Sequence, residues 1–432
     1  MYSSFYKNQR EGGLLREKKI YVYIDWEKIP LFVGCLFTRH HEGLESAHFE
    51  YDPHWLQNPL YSVLKPSLML HSLPLHKQTG KALFGALGDS SPDIWGRNLM
   101  RRAQQIEAGS QIEEPEALQE VDFLLNVDDT CRHGALRFKD QPEGPFLNQF
   151  INGEQIPSLD ALPSLLKASK RIIQGKDNVN DMNLLFKPAA CLGGERPKTT
   201  VLSEEGNLLI AKFSNPNDEW NIPEWECHAL TLASKAGFLV TPHKLVKVSG
   251  HSVLLLKRFD RFMGKRIPFL TFTSLLGASV DEGHSYAEVA VAIRQCSSQY
   301  FGALRDLWKR IVLAVLISNR HHLRNYGILL PDLSGWRLAP MYDINPKPID
   351  IMPKHTPIFL NNKCEPISLE LVLSVSEEYG FSLQEAKKIA KEIAKVTSNW
   401  RNEAKVLGIK ESEIERMTSA FEHNHLRLAL SF

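Results

Sequence analysis

The hydrophobic pattern changes along this chain, and that change limits its possible folds. Apolar and polar residues alternate from Ile20 to Val33, which predicts a β-hairpin, and residues 46–56 add a strand ending at the Asp52-Pro53 turn. Residues 303–317 instead have helical spacing. The predicted buried face of that helix comprises Leu304, Leu307, Trp308, Ile311 and Val315. The order predicts a sheet first and a helix-rich region later.

Length and composition set broad limits on the class of protein. The chain has 432 residues, two to three times the usual domain length, so we expect at least two lobes with separate cores. No stretch approaches the ~20 uninterrupted apolar residues of a membrane span. The polar, basic start does not resemble a signal peptide, so a cytoplasmic protein is expected.

Charge and cysteine content exclude further classes. The 51 basic and 50 acidic side chains nearly balance, so the chain has no overall positive potential that would attract nucleic acid. The six cysteines are far apart and form no C-x-x-C pair, which predicts reduced thiols rather than a zinc site or a disulfide framework.

Two further helices are predicted before the middle of the chain. Ser90 or Ser91, before Pro92, is a candidate cap for a helix through Trp95 and Leu99. The segment ALPSLLKASKRII has apolar residues at helical spacing within residues 143–180, where we place the first domain boundary.

Glycines and a lysine mark a candidate phosphate-binding turn. Gly193 and Gly194, with Lys198, form LGGERPK, whose main-chain amides are open to anionic oxygens. A second turn at Glu205-Gly206 leads into a strand that ends at Lys212. Taken alone, this pattern fits an ordinary hairpin with a surface lysine better.

Lys212 and Glu226 have the strand-lysine and helix-glutamate arrangement that kinases use. The glutamate falls in a helix predicted over 223–237. A surface lysine and a solvated glutamate are the alternative. The following LLLKRFDRF resembles a hinge between lobes, with the main chain of Lys257 to Phe259 for an adenine and Asp260 for a ribose.

Asn325 and Asp343 are candidate magnesium ligands. They stand in ISNRHHLRNYGILL and GWRLAPMYDINPKP, on adjacent ends of a short predicted hairpin, and magnesium prefers such oxygens together with phosphate. A loop cap and a turn-forming aspartate before Asn345-Pro346 are the alternatives. The adjacent His321 and His322 do not suggest a metal site, because neighbouring side chains rarely converge on one ion.

The order GGERPK, IAKF, DEWNIPEWE, LLLKRFDR, HLRNYG, APMYDINP resembles the HipA-like serine/threonine kinases, toxin components of bacterial toxin-antitoxin pairs. FEYDPHWL and FGALGDSSPDIWGR extend the resemblance over most of the chain. It implies an α+β, bilobal protein-kinase-like fold with an extra N-terminal β-containing subdomain. The implied domains are an N-terminal subdomain (1–150), a kinase N-lobe (151–262) and a helical C-lobe (263–432).

The resemblance also implies roles for individual residues. Lys212 would hold the ATP phosphates and Glu226 would orient it, while Asn325 and Asp343 would bind Mg²⁺. The Gly193 to Lys198 loop would close over the nucleotide. The implied substrate is a serine or threonine of a protein, in family members part of the translation machinery. A small HipB-like DNA-binding antitoxin is the implied partner, with DNA contacted only indirectly.

The catalytic loop departs from the family pattern Asp-x-His-x-x-Asn. Counting back from Asn325 through His322 places Arg320 where the catalytic aspartate is expected. By resemblance the loop is one residue shorter than usual, and a gap there would move Asn319 or His321 nearer the expected position. Arginine cannot accept the proton. In addition, Cys191 aligns with the serine that family members autophosphorylate.

Three functions stay open. The first is an active kinase with His321 or His322 as base. The second is a pseudokinase that binds nucleotide and a partner, and the third is a co-repressor component of a toxin-antitoxin DNA complex. Near the C-terminus, LQEAKKIAKEIAKVTSNWRNEAK predicts a solvated outer helix of the second lobe.

Overall fold

A computed structural model describes residues 16–41, 44–64, 83–109, 117–149, 155–277, 284–319, 323–351, 358–359 and 367–432. The chain divides into two compact units. Unit 1 is Met1–Pro216 with Asp260–Leu270, and unit 2 is Asn217–Phe259 with Thr271–Phe432. The three domains predicted from the sequence have other boundaries and stay a prediction.

Strands and helices follow one another along the described residues. In chain order the strands are β1 (Arg16–Trp26), β2 (Ile29–His41), β3 (Leu44–Tyr51), β4 (Leu136–Lys139), β5 (Lys198–Leu202), β6 (Leu208–Phe213), β7 (His243–Val248), β8 (His251–Lys257), β9 (Arg261–Phe262), β10 (Lys265–Arg266), β11 (Phe269–Thr271), β12 (His284–Ser285), β13 (Gly327–Leu329), β14 (Arg337–Leu338) and β15 (Ile358–Phe359). The helices are α1 (Pro53–Gln57), α2 (Leu60–Leu64), α3 (Gly85–Asp89), α4 (Ile94–Ala108), α5 (Glu120–Leu125), α6 (Leu162–Ile173), α7 (Val179–Ala189), α8 (Ile222–Lys235), α9 (Phe272–Leu275), α10 (Tyr286–Cys296), α11 (Tyr300–Leu316), α12 (Leu369–Ser374), α13 (Leu383–Thr397), α14 (Trp400–Val406), α15 (Glu411–Arg416), α16 (Thr418–Phe421) and α17 (Asn424–Ser431).

Unit 1 contains an antiparallel sheet in the order β3-β2-β1-β4. The β1–β2 hairpin predicted from the alternating pattern is confirmed, with Tyr21 opposite Cys35 and a bulge after Val22. Alternate residues of β1 face the core: Ile20, Val22 and Ile24 are buried. The strand predicted to end at the Asp52-Pro53 turn is confirmed as β3, which ends at Tyr51. It ends there because Asp52 accepts hydrogen bonds from two main-chain amides and starts α1.

The helices of unit 1 confirm the predicted helices but not the predicted cap. Trp95 and Leu99 are buried on α4 as expected. However, Asp93 is the residue before its first turn, and Ser90 donates its hydroxyl to Ala86 O at the end of α3. The serines therefore close one helix and do not begin the next.

A buried ion network ties the later segment of unit 1 to its sheet. Asp129 is 2% exposed and accepts from Arg137 Nη2 at 2.6 Å and from Arg266 Nη2 at 3.1 Å. These guanidinium groups lower the pKa of Asp129 against the effect of burial. Arg266, on β10, thus contacts a residue 137 positions earlier in the chain.

Unit 2 combines the β7–β8 hairpin with a helical region built on α11. The predicted helix over 223–237 is confirmed as α8, which is capped by Asn221 and followed by Gly237 at φ +86°. The predicted core face of α11 is confirmed, since each of its five apolar residues is buried. Within the residues that the structure covers, no helix combines the length and apolar content needed to cross a bilayer.

The lysine-rich C-terminal segment forms two helices. Ser382 and Glu385 make a capping box for α13, and the chain turns before α14. The solvated lysines agree with the prediction, but α13 also buries Ala390 and Ile393. Trp400, at the start of α14, is 1% exposed, so this segment belongs partly to the core of unit 2. Of the six cysteines, the five in the described residues are free thiols.

Candidate functional site

The predicted site residues are distributed over both units. Unit 1 carries the glycine loop, Lys198, Lys212 and Asp260. Unit 2 carries Glu226, Lys257, Phe259, Asn325 and Asp343. Each set is described within its own unit, and the predicted pairing of Lys212 with Glu226 stays a prediction.

Asp343 has a left-handed backbone, with φ +54°. This conformation costs a residue with a Cβ about 1–2 kcal/mol, so surrounding contacts must hold it. Glu226 Oε1 accepts a hydrogen bond from Asp343 N at 3.1 Å, and Asn325 Nδ2 donates to Asp343 O at 3.3 Å. Three residues predicted separately from the sequence therefore meet at one peptide segment.

Helix α8 positions Glu226 from the core of unit 2. Glu226 is 1% exposed, and the flanking Trp225 and His228 of the helix pack in an aromatic cluster with Trp400 and Phe421. His228 Nε2 lies 2.8 Å from Trp400 O, and burial lowers the pKa of His228 to about 4. A neutral imidazole therefore donates to this carbonyl and fixes the helix behind the glutamate.

Two asparagines complete the surroundings of Asp343. Asn319 Oδ1 accepts from Asn345 N at 2.9 Å, which joins the end of α11 to the segment after Asp343. Asn345 Nδ2 donates to Asp343 Oδ1 at 3.3 Å. The sequence had indicated Asn345 only as part of a turn. Its position two residues after the aspartate is the signal that could have marked it as a neighbour of the carboxylate.

The oxygens around Asp343 suit a hard cation. Carboxylate and amide oxygens are the donors that Mg²⁺ takes together with phosphate. The described residues contain no cluster of three or more His, Cys, Asp or Glu side chains placed to hold a metal ion. The Asn325 and Asp343 pair thus fits an ion that takes its remaining ligands from a phosphate and water.

The glycine loop of unit 1 is anchored to α4. Gly194 N donates to Asp93 Oδ2 at 3.2 Å, and Trp95 N donates to Gly194 O at 3.1 Å. Lys198 Nζ donates to Gly193 O at 2.5 Å. Gly194 has φ +82°, and a Cβ at this position would lie 2.7 Å from Lys198 Nζ. The left-handed conformation therefore favours glycine at Gly194, whereas the flexible end of Lys198 would only have to move aside for a Cβ.

Lys198 and Lys212 are directly opposite each other in the β5–β6 hairpin. Opposite residues of an antiparallel pair project to the same face, where two like charges destabilise the sheet. Such a pair suits a polyanion, whose charge would offset the repulsion. Counting residues outward along both strands from the hairpin turn at Glu205-Gly206 would have predicted this register.

The predicted hinge residues are already hydrogen bonded within their units. In unit 2, Lys257 N donates to Pro242 O at 2.8 Å, and Lys257 O accepts from Thr241 Oγ1 at 2.6 Å. The Phe259 ring packs 5.2 Å from that of Tyr342. In unit 1, Asp260 Oδ2 accepts from Gly134 N and Arg261 Nη1, each at 2.9 Å. The predicted contacts with adenine and ribose stay predictions.

The predicted catalytic loop lies mostly outside the described residues, and its departure from the family pattern stays a prediction. Arg320, His321 and His322 fall in a stretch that the structure does not describe. Cys191 is buried, with Sγ 3.6 Å from Thr200 Oγ1 and donating to Pro188 O at 3.5 Å.

The fold of this chain is similar to that of a solved structure. It matches a chain of the Shewanella oneidensis MR-1 toxin-antitoxin HipA, HipB and operator DNA complex with a TM-score of 0.58, at 15% identity over 95% of this chain and 96% of that chain. A Helicobacter pylori proinflammatory kinase matches with a TM-score of 0.43, at 16% identity over 55% of this chain and 92% of that chain. The match to the Shewanella chain confirms the predicted α+β, HipA-like fold class.

One segment of the sequence matches a family model. Residues 190–400 match the model of the HipA-like C-terminal domain. The predicted resemblance to the HipA-like kinase family is thereby confirmed. A putative kinase of Haemophilus influenzae is 25% identical over 158 residues, which are 33% of this chain. The match spans 46% of that relative, less than half of its length.

Proposed function

We propose that this protein is a HipA-like kinase that binds Mg²⁺ and ATP and phosphorylates a serine or threonine of a protein. The observation that carries the proposal is the left-handed Asp343, held by Glu226 and Asn325. Strain of this kind persists only where neighbouring groups enforce it, and it concentrates at functional sites.

In the proposed mechanism Asn325 and Asp343 would hold Mg²⁺, which neutralises phosphate charge as the phosphoryl group moves. Glu226 keeps the Asp343 main chain in place, so the carboxylate needs little rearrangement when the ion binds. Lys198 and Lys212 would face the phosphates, and the amides of Gly193 and Gly194 would approach them closely.

The residue that would accept the proton is where this sequence departs from the family pattern. Arg320 replaces the family aspartate, and His321 or His322 is the remaining candidate to accept the hydroxyl proton. Because the transition state of phosphoryl transfer is loose, positioning and charge contribute more than the base. Loss of a general base still typically costs ~10²-fold or more.

A second candidate function is a pseudokinase that binds nucleotide without transferring phosphate. The presence of Arg320 in place of an aspartate favours it, because a guanidinium cannot accept a proton.

Labelled ATP separates these two functions. Purified protein with Mg²⁺, ATP and candidate substrates is compared with Asp343→Ala, after equal folding is verified. Transfer that disappears in the variant would establish the kinase. Tight binding without transfer would establish the pseudokinase, and failure to bind ATP would contradict both.

The proposed partner is a small HipB-like DNA-binding antitoxin. Support comes from the shared fold with the Shewanella protein, which was solved together with HipB and operator DNA. In this role the chain would reach DNA only indirectly, as a co-repressor. A gel shift with operator DNA, with and without the antitoxin, tests it; a shift by this chain alone would contradict the indirect contact.

A further inference from the structure

We infer that Asn345 supplies a third protein oxygen, Oδ1, to the metal site of Asn325 and Asp343. This inference rests on the proposed function, because it assumes that a divalent cation binds at Asp343. It adds a ligand to that site, from a residue whose sequence pattern predicted only a turn.

The hydrogen bond of Asn345 determines which way its amide group points. Asn345 lies with its terminal amide 3.3 Å from Asp343 Oδ1. A carboxylate oxygen accepts hydrogen bonds, so the atom facing it must be the NH₂ nitrogen. The carbonyl oxygen is on the same planar group and therefore remains within an amide's width of the carboxylate.

Asn325 has the same arrangement on the other side of Asp343. Its Nδ2 donates to the main-chain oxygen of Asp343 at 3.3 Å, which likewise leaves its carbonyl oxygen as the cation-binding atom. The side-chain nitrogens of Asn325 and Asn345 thus both donate hydrogen bonds to Asp343. Their oxygens and the carboxylate are the hard donors that a divalent cation takes.

Burial makes the Asn345 oxygen unusual. Asn345 Oδ1 is buried and has no hydrogen-bond partner among the described residues. A buried oxygen with no compensating interaction destabilises the folded protein. A divalent cation would provide the missing interaction.

The main chain around Asn345 is fixed before any ion arrives. Asn345 N donates to Asn319 Oδ1, and Asn319 is 5% exposed with its own N bound to Ala314 O. Asn319 is thus a positioning residue that anchors the ligand segment to the end of α11. A preformed donor set of this kind favours binding at low entropic cost.

The first test measures Mn²⁺ binding to the full chain by electron paramagnetic resonance, with and without a non-hydrolysable ATP analogue. Asn345→Leu should weaken Mn²⁺ binding about tenfold or more. Asn402→Leu, on the surface of α14, is the matched control and should bind as the wild type does. Equal Mn²⁺ affinity in Asn345→Leu and the wild type would overturn the inference.

A metal-preference test separates a ligand from a positioning residue. Asn345→Cys places a thiolate where the oxygen was, and thiolates select soft ions. The ratio of Cd²⁺ to Mn²⁺ affinity at this site should therefore rise at least tenfold over that of Asn345→Ser. If Asn345 only orients Asp343, both variants weaken both ions equally, which would overturn the inference.

The two tests also separate this inference from the proposed function. If the wild type binds neither Mn²⁺ nor the ATP analogue, the proposed function fails and the inference fails with it. If the wild type binds both and the Asn345 variants leave metal affinity and preference unchanged, only the role of Asn345 is wrong.

Discussion

Asp128 and Asp129 are adjacent buried aspartates of unit 1 with opposite surroundings. Asp129 faces the guanidinium groups of Arg137 and Arg266, which lower its pKa. Burial raises the pKa of Asp128 to about 6, with help from the charge of Asp129. Asp128 Oδ1 accepts from Cys131 N at 3.0 Å, while Oδ2 is buried without a partner among the described residues. One carboxylate therefore stabilises the unit as an ion and the other opposes it.

Removal of the Asp129 carboxylate should lower the free energy of unfolding strongly. Asp129→Ala removes the nearer of the two carboxylates that Arg137 and Arg266 share and leaves them Asp25, at 3.3 and 3.9 Å. The Arg266 side chain is 9% exposed. Breaking a buried pair in this way costs about 3–5 kcal/mol. Urea unfolding of the variant, compared with Asp140→Ala at an exposed position, measures the loss. Equal losses in the two variants would contradict the importance of the network.

Asp128→Asn should stabilise the folded protein above neutral pH, whereas Asp129→Ala destabilises it. The pKa of Asp128 is about 6 in the folded protein, above the ordinary value of 3.8. Its contribution to the free energy of unfolding is therefore fully present below pH 4 and is lost as pH rises through 6. At pH 8 the ionised carboxylate costs up to ~3 kcal/mol. The free energy of unfolding of Asp128→Asn should exceed that of the wild type at pH 8, and the gain should shrink at pH 4. A gain independent of pH would contradict this account.

The sequence indicated much of the site residue by residue, but not its contacts. Asn325 and Asp343 were placed together from the hairpin between them, because short hairpins bring their ends into contact. The Asp129 and Arg266 pair had no such signal, since nothing local relates residues 137 positions apart. Asn345 was missed because a turn explains an asparagine before proline equally well.

At the scale of the elements, the stability of α8 depends on the protonation state of His228. His228 lies in its core-facing turn, and its folded pKa of about 4 is below the ordinary 6.5. The stability from its neutral form is therefore full above pH 6.5 and lost as pH falls toward 4. The loss amounts to ~3 kcal/mol.

His228→Gln tests this pH dependence. Glutamine keeps an N–H donor for Trp400 O but does not titrate, so the free energy of unfolding should fall less between pH 6.5 and 4.5 than in the wild type. His54→Gln, at a position with a 95% exposed side chain, is the control. An unchanged slope in His228→Gln would show that another group causes the acid sensitivity.

Element positions were predicted well where the periodic pattern was strong, as for α8, α11 and the β1–β2 hairpin. Caps were predicted less well. Several polar residues near α4 had suitable chemistry, and tertiary contacts decided among them: Asp93 Oδ2 accepts from Gly194, 101 positions away. The sequence of α4 alone does not contain that partner.

At the scale of the whole molecule, unit 1 is completed by a segment that follows part of unit 2 in the chain. Asp260–Leu270 brings Arg261, which donates to Gly134 O at 3.0 Å, and Arg266, which contacts Asp129. Residues 1–216 expressed alone should therefore unfold at lower urea concentration than the same residues joined to 260–270 by a flexible linker. Equal midpoints would show that unit 1 does not need this segment.

The anchored glycine loop has a kinetic consequence. Gly194 N is bonded to Asp93, and Lys198 Nζ is bonded to Gly193 O, so an arriving nucleotide would find these donors already in use. Binding would have to wait for the loop to open. Its observed rate should then level off as nucleotide concentration rises, at a value set by that opening. Asp93→Ala should raise the plateau in stopped-flow measurements, because only the hydrogen bond from Trp95 N would still hold Gly194 to the helix.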